Sequence, residues 1–108
     1  MDAVEAWSMI ISKLKENQME FPTVPKTKKV PVWFLATTKG DTIYIDKAIH
    51  HQPSSQISTP RKLNYKVFKN IYPLYLRREN GDSISKEARA ITVNQVYYFS
   101  LIKHLCII

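Results

Sequence analysis

Val4, Trp7, Ile10, Ile11 and Leu14, running on to Gln18 and Met19, recur at the spacing of one helical face, which predicts an amphipathic helix over residues 2–19. Asp2 stands where an N-cap belongs, and Glu5 follows at the capping-box distance. Pro22, Pro25 and Pro31 then forbid a helix over 20–31, and Lys26, Lys28 and Lys29 make that stretch basic. It reads either as a surface strap or as a mobile basic arm.

The period changes to two over residues 32–49. Val32 to Ala36 is rich in strand formers, Thr42 to Ile45 alternates, and Thr38-Lys39-Gly40-Asp41 supplies a turn in which Gly40 is free to adopt positive φ. This predicts a β-hairpin with Ile43 and Ile45 on the core face. The first strand, apolar on both sides, suits a central position, and the second suits an edge.

His50 to Thr59 is polar loop. Thr59 before Pro60 has the chemistry of a helix start, and Leu63, Val67, Ile71 and Leu74 form a helical stripe with Phe68 and Tyr75 beside it. Pro73 is expected to end or kink that helix. After a turn at Glu79–Asp82, residues 83–93 fit either a short helix from Ser83 to Ala90 or a strand over Arg89–Val93. Thr92 and Gln95 have capping-box spacing, so the last helix is placed from Val93, with Tyr97, Leu101 and Leu105 on its core face.

These elements predict one α+β domain over 1–108. It is a small two-layer arrangement of an N-terminal amphipathic helix, a central β-hairpin in a small antiparallel sheet, and two further helices including the C-terminal one. Two strands alone are marginal, so a third is expected from 74–79, from 86–92 or from a partner chain.

Composition adds limits rather than elements. A chain of 108 residues with 44% hydrophobic and 23% charged residues can build one ordinary core, which excludes wholesale disorder and a disulfide scaffold. Cys106 has no second cysteine to pair with, and no charged leader precedes a long apolar run. A cytoplasmic protein without membrane attachment is the expectation.

Charge changes the picture more. Sixteen Lys and Arg face nine Asp and Glu, a net of +7. Residues 1–25 hold two basic and four acidic side chains; the remaining residues hold fourteen and five. The surplus therefore lies wholly beyond the first helix. From Arg61 to Arg78 there are six basic residues and no acidic one, interleaved with Tyr65, Tyr72 and Tyr75. Cations attract phosphates and flat rings stack on unpaired bases.

The leading functional expectation is a non-catalytic domain that binds nucleic acid or another polyanion. Arg61, Lys62, Tyr65, Lys66, Lys69, Arg77 and Arg78 form its surface, with Lys62, Lys66 and Lys69 on one helical face and Lys26, Lys28 and Lys29 as an auxiliary arm. The second is a protein-interaction module or homodimer. It rests on the underpaired hairpin, on the Cys106-Ile107-Ile108 end and on Tyr97-Tyr98-Phe99, three large rings that a single helical face does not bury.

Enzymatic readings stand behind both. Gly40 and Gly81 are too far apart for a phosphate-cradling loop, and one cysteine with His50, His51 and His104 makes no zinc pattern, so no cofactor and no metal are expected. The remaining catalytic route is metal-independent phosphodiester cleavage by His50 or His51 beside Arg61 or Lys62. It requires the 50–59 loop to fold back on the basic helix.

Overall fold

A computed structural model describes residues 1–25 and 29–106, so Lys26, Lys28, Ile107 and Ile108 lie outside the described residues. The chain is an α+β domain in the order α1 (Ala3–Glu16), β1 (Met19–Pro22), β2 (Trp33–Lys39), β3 (Thr42–Lys47), β4 (Arg61–Leu63), α2 (Tyr65–Glu79), α3 (Ser85–Ile91) and α4 (Gln95–Leu105). The four strands lie in the order β1-β2-β3-β4, each antiparallel to its neighbour.

The capping box opens α1 as expected. Asp2 Oδ1 accepts the Glu5 N–H at 2.8 Å, and Glu5 Oε1 accepts the Asp2 N–H at 3.4 Å. The helix stops at Glu16 rather than running to residue 19, and its buried stripe is Ala6, Trp7, Ile10, Ile11 and Leu14. Val4, read as part of that face, is exposed. Met19 instead begins β1, pairing with Ala36 of β2.

The hairpin forms with Gly40 at φ 62° in its turn. β2 is central, but β3 is central too and not an edge, because β4 pairs along it with Leu63 opposite Ile43 and Arg61 opposite Ile45. The missing sheet neighbours thus come from 19–22 and 61–63. Neither 74–79 nor 86–92 supplies one, since those residues are helical or lie at helix ends. Strands of four and three residues carry too little alternation to stand out in a sequence.

The start of α2 differs for a related reason. Thr59-Pro60 does not begin a helix. Residues 61–63 continue the sheet so that Leu63 can be fully buried, and Asn64 caps α2 by accepting the Val67 N–H at 3.0 Å. The buried stripe becomes Phe68, Ile71, Tyr72 and Tyr75, joined by Leu74, while Val67 is only half-buried. α2 also continues through Pro73. Pro73 and Lys69 are both exposed, so the carbonyl that the proline ring leaves unbonded faces water, and buried neighbours on either side hold the helix.

Residues 85–91 settle as helix, and α4 begins at Gln95 rather than Val93, with Thr92 Oγ1 accepting the Asn94 N–H instead of capping the helix. Tyr97, Tyr98 and Phe99 are all buried within this one chain. The rest of the chain covers all three rings, so they do not call for a second chain, while Val96, Lys103 and His104 of the same helix stay exposed. Among the described residues no helix is long and apolar enough to cross a membrane.

These cap positions give a direct test by urea unfolding. Asn64→Ala should lower stability by about 1 kcal/mol. Thr59→Ala, at an exposed position, should stay within about 0.5 kcal/mol of the parent. The reverse ranking would return the helix start to Thr59.

Candidate nucleic-acid interface

Alternation gives the sheet two unlike faces. Phe21, Phe34, Ala36, Ile43, Ile45 and Leu63 point into the core and are buried. The register places Glu20, Leu35 and Asp46 in one row of the other face and Thr37, Tyr44 and Lys62 in the next, with Trp33 at one end. Of these outward residues Lys62 is exposed, the Glu20 side chain is nearly covered, and the others are half-buried.

Two aromatic positions stand on this outer face. Lys62 Nζ lies 5.9 Å from the Tyr44 ring centroid, its cross-strand neighbour. Trp33 carries the His51 imidazole stacked on it, with centroids 3.9 Å apart and planes 12° from parallel. Strand geometry puts Trp33 and Tyr44 about 14 Å apart, four residues along β2 and one strand across.

Glu20 holds the His51 end together. Its carboxylate accepts the backbone N–H groups of Ile49, His50 and His51 at 2.7–3.2 Å and meets His51 Nδ1 at 2.9 Å. Burial alone would raise the pKa of this side chain, which is 6% exposed; the N–H groups of His50, His51 and Ile49 and the imidazole outweigh it and hold the value at about 2, against an ordinary 4.5. An ionised carboxylate only accepts, so Nδ1 donates to it from a ring that is 48% exposed. Trp33 also bonds the loop through its backbone, accepting from Ser55 and donating to Pro53, both at 2.8 Å.

The loop that carries the histidines therefore folds back on β1 and β2, not on the basic helix that the cleavage route requires. Arg61 is withdrawn from that route as well. It follows the inward alternation, donates to Asn94 Oδ1 at 2.9 Å and lies over the Tyr97 ring at 5.7 Å. The Cys106 thiol, half-buried, is pushed by burial up to about 11, which leaves little thiolate at neutral pH.

The basic cluster of the sequence is dispersed over several surfaces. Lys62 belongs to the sheet and shares no helical face with Lys66 and Lys69, which stand exposed on α2. Tyr65 is half-buried against Trp7 and Phe68, and Tyr72 and Tyr75 are in the core. Arg77 is engaged by Asp82 at 3.2 Å and by both oxygens of Glu87 at 2.9 and 3.0 Å, tying the end of α2 to α3. Arg78 lies over the Phe99 ring at 5.3 Å and donates to the Val24 carbonyl. Lys29 is exposed; Lys26 and Lys28 lie outside the described residues.

Trp33, Tyr44 and Glu20 are not among the site residues read from the sequence, where His51 enters only through the cleavage route. Period-two alternation about Ile43 and Ile45 turns Tyr44 outward, but nothing local announces Glu20, whose partners are 29–31 residues away. No family model, curated protein or solved structure matches this chain.

The Glu20 anchor makes acid stability testable. Its folded pKa lies below the ordinary one, so its contribution is complete above pH about 4.5 and is lost as pH falls towards about 2. Glu20→Gln should be less stable than the parent at pH 7, and the gap should shrink at pH 3. A gap that stays constant between those pH values would remove the carboxylate from this role.

Proposed function

We propose that this protein binds single-stranded nucleic acid, without catalysis, through the outer face of its sheet. The observation that carries the reading is the pairing of Lys62 with Tyr44 on that face, a flat ring and an ammonium 5.9 Å apart. A ring is available for stacking on a base, and the ammonium beside it for the adjoining phosphate. The Trp33–His51 stack offers a second platform on the same surface. Outward-facing rings stack only on unpaired bases, which favours a single strand over a duplex. Lys66 and Lys69 on α2, with the overall charge of +7, contribute long-range attraction without reading bases. A cytoplasmic setting suits this role, since the lone Cys106 needs no oxidising compartment.

Fluorescence anisotropy with labelled oligouridine, oligothymidine and a duplex of equal length tests the proposal. Single strands should bind more tightly than duplex, with affinity falling steeply as salt rises. Tyr44→Ala should cost about 1–3 kcal/mol of binding, the usual loss for one stacked base. Lys62→Gln should reduce the logarithmic salt slope by about 0.7. Duplex preference, or loss of binding in a Lys66→Glu/Lys69→Glu double variant with Tyr44→Ala unaffected, would move the function to the helical surface.

A further inference from the structure

Away from the sheet face, Thr23, Val24, Pro25, Lys29, Val30 and Val32 face the α2–α3 turn and the start of α4 across a groove of about 520 Å³. That volume falls in the range of small-molecule sites, roughly 300–1,000 Å³. Its walls are mainly apolar, with Val30, Ile84, Val96 and Phe99 among them. Val30 is 72% exposed and Val96 is 42% exposed, so hydrophobic surface at this concavity is in contact with water.

The charged groups here favour an anion. The Arg78 side chain is only 11% exposed, yet its guanidinium lies against the groove floor over Phe99. It donates to the Val24 carbonyl and sits 3.7 Å from Glu79, which leaves further N–H donors of its five without partners among the described residues. Lys29 stands exposed at the rim. The Asp82 carboxylate, also on the wall, is bonded to Arg77 at 3.2 Å. A guanidinium in apolar surroundings forms stronger hydrogen bonds with an anion than it would in water.

We infer that this groove binds a small apolar carboxylate, an acyl chain or comparable hydrophobic body lying along Val30, Ile84, Val96 and Phe99 with its carboxylate at Arg78 and Lys29. A docked protein would need an interface of about 800 Å² per partner, whereas one compact concavity suits a small molecule. The inference is independent of nucleic-acid binding at the sheet.

Titration of the ¹⁵N-labelled full chain with decanoate, kept below micelle formation, tests it. Saturable shifts are expected at the amides of Val96 and Phe99 and at Arg78 Nε, with decylamine binding at least about tenfold more weakly. Val96→Glu places a carboxylate at an exposed position of the wall and should abolish the decanoate shifts. Lys29→Gln should weaken them while the spectrum elsewhere is retained. Equal binding of decylamine, shifts spread away from the groove, or decanoate binding unchanged in folded Val96→Glu would each overturn the inference.

Discussion

Four consecutive buried side chains of helix α4, stepping around its axis by roughly 100° each, tie it to four different parts of the chain. The Tyr97 hydroxyl is 2.6 Å from Ser55 Oγ, and its ring meets Phe34 edge-on with centroids 5.0 Å apart. The Tyr98 hydroxyl accepts the Asn64 N–H at 3.1 Å, at the junction of β4 and α2. Phe99 packs against Tyr75 and under Arg78 near the end of α2. Ser100, fully buried, donates to the Pro22 carbonyl at 2.6 Å and so ties β1 to the helix. A buried hydroxyl is tolerated only when bonded, so each polar contact also fixes a position.

That packing determines which side chains are left exposed. The helices cover one face of the sheet, and the other keeps the residues that strand alternation turns outward. Arg61 and Lys62 show the consequence. Adjacent in sequence, one turns in to Asn94 and Tyr97, the other turns out to Tyr44. A cluster of cations along the chain therefore becomes a set of separate positions, some exposed and some committed to carboxylates, carbonyls and rings. The Glu20 carboxylate then pins the 49–51 segment beside Trp33, which places a histidine on the same outer surface as the Tyr44–Lys62 pair.

The sequence conveyed the parts of this arrangement that depend on near neighbours. The capping box of α1 acts over three residues, and the β2–β3 turn is set by Gly40 within the turn itself. β1 and β4 were illegible because their pairing is decided by partners 11 or more residues away, and because four or three residues hold at most two periods of alternation. Pro60 and Pro73 misled for the same reason: proline constrains the local chain, but burial of Leu63 and of the Ile71–Tyr72 and Leu74–Tyr75 pairs decided where the helix ran. The basic cluster was visible as composition. Its division between sheet and helix was not, since that division depends on the change from strand to helix at Asn64.

The central claim is that the open sheet face, rather than the cationic side of α2, meets the ligand. Amide and indole chemical-shift mapping of the ¹⁵N-labelled chain with a short oligouridine addresses it most directly. The account predicts saturable perturbations at the Trp33 indole and at Leu35, Tyr44 and Lys62, with Lys66 and Lys69 little changed. Perturbations concentrated at Lys66 and Lys69, with the strands silent, would contradict it.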